Sequence, residues 1–342
     1  MNVFELTRAL VDIESITGNE ENVGLFLFNH LSRLTARHAG RIERMEVEPH
    51  RFNVFAQFGE RPAVTLSTHM DTVPPFFPSR EDDEFIWGRA ACDTKGIIAS
   101  MITAAEKLLA FGAATVMERG LGLLFVVGEE RNSAGALRAA KEPRGSRFII
   151  NGEPTENKLA IGSKGTLRYE LVAAGKMAHS PYPELGESAI EKLLDTLADV
   201  RKIKLPVDQL LGASTLNIGT IAGGRAPNII PDQARAEVLI RLVGDPSSTK
   251  EAMRHAAGGR VEVNEVLEIP ALRLGSLDGM ETTVVAYTTD IPAFGTSWGQ
   301  PFLLGPGTIH VAHTLEERVP KRQLLDAVEI YQRMVQDLWK RE

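Results

Sequence analysis

Histidines and carboxylates of metal-binding type recur at the ends of apolar runs in this chain. The apolar run at 63–66 delivers His69 and Asp71 in an H-x-D arrangement, and Asp93 follows in G-R-A-A-C-D-T-K-G (88–96), just before a run with helical spacing. Glu129 and Glu130 come after L-F-V-V-G, Glu153 after F-I-I-N-G, and His313 in V-A-H-T. Each is weak alone: a lone H-x-D is often a satisfied surface pair, and Glu129-Glu130-Arg131 in isolation reads as a charged turn. Polar residues end strands everywhere. That does not explain why the ends at His69, at Glu129 and Glu130, and at Glu153 all carry metal-binding types. Two imidazoles with several carboxylates suit zinc, manganese or cobalt, and two such ions about 3.5–4 Å apart can activate a water and polarise a carbonyl.

The elements that must position these side chains follow from periodicity. Residues 2–13 place Val3, Leu6, Leu10 and Ile13 at helical spacing, and Thr17-x-x-Glu20 reads as a capping box for a second helix through about Leu34. Strands are expected at 41–48, 53–58 and 63–68, a helix at 94–111 ended by Gly112, a buried strand at 121–127, a short helix at 133–140 and a buried strand at 147–150. Apolar strands mixed with amphipathic helices predict an α/β domain, a central, mostly parallel sheet flanked by helices, with ligands beyond the carboxyl ends of its strands. The texture changes near Gly162. Alternating strands at 166–173, 214–222, 234–243 and 260–266, with helices at 187–200 and 247–257, give a β-α-β-β-α-β order, a small inserted α+β domain. The expected division is 1–162 with 271–342 for the metal-binding domain and 163–270 for the insert. Pro320 opens a terminal helix with Leu324, Val328, Tyr331, Val335 and Leu338 on its buried face.

Composition narrows the class. A length of 342 residues suits about two domains of roughly 150 residues, and 43% apolar residues can form a sizeable core. The formal charge of −7 is spread along the chain without a basic cluster, so no nucleic-acid partner is expected. The longest purely apolar run, 121–127, falls short of the about 20 residues that span a bilayer, and no membrane partner is expected. The amphipathic, acid-bearing amino terminus does not read as a signal peptide, and the single cysteine, Cys92, fits a reducing compartment; the expected location is cytoplasmic.

Taken in order, H-M-D (69–71), G-R-A-A-C-D-T-K-G (88–96), G-E-E (128–130), G-E-P-T (152–155) and G-P-G-T-I-H-V-A-H-T-L-E-E (305–317) resemble the M20 metallopeptidase family, which includes acetylornithine deacetylases, succinyl-diaminopimelate desuccinylases, aminoacylases and glutamate-releasing carboxypeptidases. The resemblance spans nearly the whole chain and implies two divalent metal ions, zinc first, with cobalt or manganese as alternatives. It implies that Asp93 bridges both ions, that His69 and Glu153 complete one site, and that Glu130 and His313 complete the other. Asp71 would accept the second ring N–H of His69, and Glu129 would be the general base, left uncoordinated beside its metal-bound neighbour.

The insert carries G-K-M-A-H-S-P-Y-P-E-L-G (175–186), similar to the family's G-x-x-x-H-S-x-x-P-x-x-G. This implies a homodimer formed through the inserted domain, acting as a lid, in which His179 reaches the partner's site and holds the developing oxyanion. Asn228 and Arg241 fit a clamp for a substrate carboxylate, a surface salt bridge being the alternative for Arg241. Blander roles suit His30, His38, His50, His255 and His310. Cys92 reads as packing, Lys95 and Gly96 as serving the turn, and Glu317 as bracing the His313 loop. Asp290, in Y-T-T-D-I-P, resembles a substrate-proximal residue of deacetylase-like members. The expected activity is amide hydrolysis of an N-acyl amino acid or short peptide, acetylornithine deacetylase-like first, with a di- or tripeptidase or carboxypeptidase as the alternative. From another class, the chain could be a non-catalytic metabolite-binding protein on the same fold.

Overall fold

The computed structural model describes residues 1–341. The chain divides into two compact units: unit 1 comprises Met1–Ile161, Leu274–Thr283 and the chain from Thr289 onward, and unit 2 comprises Gly162–Arg273 with Val284–Thr288.

Unit 1 opens with helices α1 (Val3–Val11) and α2 (Glu21–Arg37), followed by strands β1 (Arg41–Glu48), β2 (Arg51–Phe58) and β3 (Val64–His69). Helix α3 (Gly96–Arg119), strand β4 (Leu121–Val126), helix α4 (Ala134–Ala140), strand β5 (Phe148–Asn151) and strand β6 (Leu159–Ser163) come next, the chain passing into unit 2 within β6. The sheet runs β1-β2-β4-β3-β5, continues through a strand at Gln300–Leu303 and reaches β6. It is mixed. Strands β4, β3, β5 and Gln300–Leu303 are parallel, whereas β1, β2 and β6 pair antiparallel at the two sides. "Mostly parallel" therefore holds only for the centre: a two-residue turn reverses the chain between β1 and β2, and β2 lies antiparallel to β4.

Both faces of the central strands β3, β4 and β5 are covered, which explains their unbroken burial. In β4, Leu121, Leu123 and Phe125 enter one core with α1, α2, α3 and the last helix, while Leu124 and Val126 enter a second with Phe55, Ile149, Phe294 and Trp298. Truncating a core leucine such as Leu66, which is fully buried, costs about 2–5 kcal/mol.

Two local readings need correction. Thr17 does not cap α2: Glu20 is the N-cap and makes no side-chain cap bond, and Glu20 instead pairs with Arg51 at 2.6 and 2.8 Å. The capping box in this region belongs to α1, where Asn2 Oδ1 accepts from Phe4 N and Glu5 N and Glu5 Oε2 accepts from Asn2 N. Nor does Gly112 end α3. It kinks the backbone (φ −157°, ψ 46°), and the helix resumes to Arg119 with Val116 buried. The segment Ala91–Arg119 is long and apolar enough to cross a membrane by length and composition; its Ile97, Ile98, Met101 and Leu108 are buried in the core of unit 1.

Unit 2 contains β7 (Gly165–Ala174), α5 (Ala189–Val200), β8 (Thr215–Gly223), β9 (Gln233–Leu242), α6 (Ser247–Ala257) and β10 (Glu262–Ile269). The sheet order is β8-β9-β7-β10, antiparallel throughout. Alternation decides its faces: Leu167, Tyr169, Leu171, Val238 and Ile240 pack with Leu193, Leu197 and Met253, while Arg168 and Glu237 form an exposed pair at 2.8 Å. Back in unit 1 lie the short helix α7 (Ile291–Phe294), strand β11 (Gln300–Leu303) and helix α8 (Lys321–Trp339), which starts after Pro320.

Candidate metal centre

Because β4, β3, β5 and β11 are parallel, their carboxyl ends share one edge of the sheet, where ligands of α/β folds collect. His69 is the last residue of β3, Glu129 and Glu130 follow β4, Glu153 follows β5, and the loop after β11 carries His313. Asp93 lies in a tight turn before α3, at φ −125° and ψ 82°.

These side chains converge in two groups that share Asp93. His69, Asp93 and Glu153 form one, and Asp93, Glu130 and His313 the other, each offering donor atoms within 4.8 Å of one another. His69 Nε2 lies 3.1 Å from Asp93 Oδ1, and His313 Nε2 lies 3.3 Å from Asp93 Oδ2 and 3.0 Å from Glu130 Oε1. Asp93 thus presents one oxygen to each histidine. The Nδ1 of His69 stands 3.0 Å from the backbone carbonyl of Asp71, which can only accept, so Nδ1 carries the proton and Nε2 keeps its lone pair for a cation.

The expected Asp71 contact differs in detail. Its carboxylate is 3.5 Å from His69 Nδ1, too long for a good hydrogen bond, and the main-chain carbonyl takes that role instead. The carboxylate accepts from Thr17 Oγ1 at 2.7 Å, Glu129 N at 3.0 Å and Glu130 N at 3.2 Å. Asp71, with no solvent exposure, therefore anchors the backbone that presents the two adjacent glutamates. Although burial opposes it, the His69 and Thr17 contacts hold the Asp71 carboxyl below its usual range.

The charge distribution fits divalent cations. Burial pushes the carboxyls of Glu153 and Glu129 well up, and that of Glu130 up, with neighbouring acids adding to each rise. Hydrogen bonds that the His313 imidazole donates to the Asp93 and Glu130 carboxylates raise it to about 10, so this cluster favours positive charge. Glu153 Oε1 is buried without a hydrogen-bond partner among the described residues. Such an atom is costly unless an ion satisfies it. An N/O donor set of two imidazoles and three carboxylates in two groups that share Asp93 suits divalent ions. Glu129 belongs to neither group, and no hydrogen bond engages its carboxylate among the described residues.

Other residues were misjudged or missed by sequence reasoning. Asp290 is fully buried, which leaves it no surface to offer a substrate. Burial raises its carboxyl to about 7, and the nearby Ser133 hydroxyl opposes the rise without forming a well-aligned hydrogen bond. Arg89 carries no signal beyond its place in G-R-A-A-C-D, yet it forms a buried pair with Glu317. Cys92 behaves as packing: burial pushes its thiol up, and Sγ donates to the Thr308 carbonyl at 3.4 Å. His310 is exposed, outside both groups.

His179, Asn228 and Arg241 all belong to unit 2. His179 is exposed, on a two-residue strand paired with Ile229–Ile230, its ring 6.4 Å from that of Tyr182. Asn228 is exposed, its carbonyl accepting from Ser180 N. Arg241 makes no ion pair among the described residues; Nη1 donates to Thr166 Oγ1 at 2.7 Å across the β9–β7 pair.

The comparisons agree with this geometry. A model of peptidase family M20/M25/M40 matches residues 65–337. The chain is 38% identical over 381 residues to a probable carboxypeptidase of Aspergillus fumigatus, covering 96% of this chain and 85% of that one. Its fold is similar to that of a Staphylococcus aureus tripeptidase (TM-score 0.78, 22% identity, covering 99% and 98% of the chains). It is also similar to a Bacillus subtilis protein described as a dinuclear metal-binding peptidase of family M20 (TM-score 0.72, 16% identity, 99% and 98%). With two ligand groups sharing one aspartate and a matching family model over most of its length, the chain belongs to peptidase family M20/M25/M40 and is a metallohydrolase.

Proposed function

We propose that the chain hydrolyses the amide bond of a short peptide or N-acyl amino acid, releasing a carboxylate and an amine, with two divalent ions, zinc first, held by His69, Asp93, Glu153, Glu130 and His313. The observation that carries the reading is Glu129, which lies outside both ligand groups but adjoins Glu130. When bound, the ions supply Lewis acidity that lowers the pKa of a water and polarises a carbonyl. Glu129 then accepts the proton of the attacking water and passes it to the departing nitrogen. Burial raises the affinity of its carboxylate for that proton. Asp71 keeps Glu129 in place through the Glu129 N–H.

Relatives described as carboxypeptidase and tripeptidase favour a peptide within this substrate class. The acetylornithine deacetylase-like expectation, which came first, rests on the texture of Y-T-T-D-I-P and G-P-G-T-I-H-V-A-H, and the burial of Asp290 weakens the first of these. We also propose that a second copy of the chain contributes His179 to hold the oxyanion, and that the copies pair through unit 2. Exposed Met177, Tyr182 and Leu185 near His179 in sequence support an interface there. Asn228 and Arg241 remain our proposed carboxylate clamp; that Arg241 makes no ion pair among the described residues supports that role over a surface salt bridge.

Replacing Glu129 by Gln should lower kcat by about 10²–10⁴ while two equivalents of metal stay bound. Loss of metal with activity would make Glu129 a ligand. Full activity in E129Q would remove its role as base, and a wild-type chain that binds two ions but cleaves none of a panel of N-acetyl and N-succinyl amino acids and dipeptides would favour a non-catalytic binding protein.

A further inference from the structure

Asp93 must hold one oxygen toward each ligand group, so its backbone has to be fixed by something other than the ions. The Asp93 N–H donates to Glu317 Oε1 at 3.2 Å, a contact spanning 224 residues of sequence. The other oxygen, Glu317 Oε2, accepts from Arg89 Nη1, and the Glu317 backbone carbonyl accepts from Gly88 N at 3.1 Å. Arg89 is held in turn: Nε donates to the Pro75 carbonyl at 3.1 Å, and its guanidinium lies 5.0 Å from the centre of the Phe77 ring. Arg89 is 2% exposed and Glu317 0%.

A buried ion pair is a poor source of stability, since desolvation offsets much of the attraction and well-packed apolar side chains often do as well or better. What an apolar pair could not do is accept the Asp93 N–H. Glu317 also lies four residues after His313, so one loop carries a ligand of the second group and the brace for the shared aspartate. We infer that Glu317, oriented by Arg89, is a positioning residue that sets Asp93 relative to His313 and thereby tunes the affinity of both ion sites. This rests on the two-ion reading above, and concerns how ions are held, not how substrate is cleaved.

The test uses the whole chain, stripped of metal and titrated with zinc against a competing chelator, with the visible absorption of the cobalt-loaded protein as a second readout. Two equivalents must first bind to the wild type; failure there overturns the two-ion reading itself. R89M/E317M removes both charges of the pair together, but the buried Lys95, which keeps the Ile13 carbonyl, loses its nearest carboxylate; thermal stability should fall somewhat, and zinc affinity, measured well below the melting temperature, should fall about 10–100-fold, as when outer partners of ligands are removed, and the cobalt spectrum should change. R89M/E317Q restores an oxygen for the Asp93 N–H and should recover most of the affinity. Unchanged affinity and spectrum in R89M/E317M, or no recovery in R89M/E317Q, overturns the inference. If R89M/E317M does not fold, E317D decides: it keeps the charge opposite Arg89 but withdraws the oxygen from Asp93, and unchanged affinity there overturns the inference equally.

Discussion

Thr17 separates a local from a tertiary reading of the same residue. Replacing it by valine keeps its shape and removes one hydroxyl. A helix cap of that kind is worth about 0.5–2 kcal/mol. The observed bond, from Thr17 Oγ1 to the buried Asp71 carboxylate at 2.7 Å, is charge-assisted and worth about 1.5–3 kcal/mol. Stability loss alone cannot distinguish the two. Metal affinity can, because Asp71 also holds the N–H groups of Glu129 and Glu130. If half of the bond's energy is felt at the ligands, zinc affinity falls about 4–13-fold, and kcat falls with it as Glu129 loses its support. The pH dependence follows from Asp71, whose carboxyl is lowered on folding, Thr17 contributing. Stabilisation of that kind is present above the unfolded value, 3.8, and is lost as pH falls through the folded one. The stability gap between wild type and T17V should therefore be full at neutral pH and close on acidification below that value. The assay is urea unfolding from pH 3 to 8 together with zinc competition at pH 7. A T17V protein less stable at every pH, with zinc affinity and kcat unchanged, would refute the reasoning and leave Thr17 a contributor to stability only.

The metal-stripped protein should lose stability as the pH rises. His313 is raised from 6.5 to about 10 in the folded state, so its contribution is complete below 6.5 and disappears as the pH climbs through about 10; thermal melts of the stripped and zinc-loaded protein between pH 6 and 10 check this, and equal slopes would count against it. Replacing Glu20 by Gln leaves Arg51 with Glu48, at 2.7 Å, as its one carboxylate partner and should cost about 1.5–3 kcal/mol in urea unfolding, with zinc affinity unaffected. For His179, mixing H179A with E129Q subunits should recover activity absent from either variant alone if the histidine acts on its partner's site; no recovery in verified mixed dimers would assign it to its own chain or to none.

Much of the fold was legible because periodicity reports burial. The stripe on α8 and the alternation of β7 appear in the sequence as they lie in the structure, since a two-sided environment selects side chains at the period of the element. Breaks were less legible. Gly112 was read as a stop, but the buried Val116 beyond it gives the chain reason to resume its helix after the kink. The parallel centre could not be told from its antiparallel margins, because strands buried on both faces look alike whatever their direction.

The sequence by itself determined which residue types stood at the strand ends, and hence a metal-dependent hydrolase and the ligands to test. It did so because coordination chemistry admits few side chains, and those were already ordered along the chain. Tertiary structure alone decided that the Asp71 carboxylate holds two glutamates' backbones instead of an imidazole, that Asp290 is sealed from solvent, and that Glu317 reaches Asp93. The physical reason is distance along the chain. Contacts across 54 or 224 residues leave no periodic trace, and a polar side chain looks the same in sequence whether it caps a helix, meets water or braces a metal ligand.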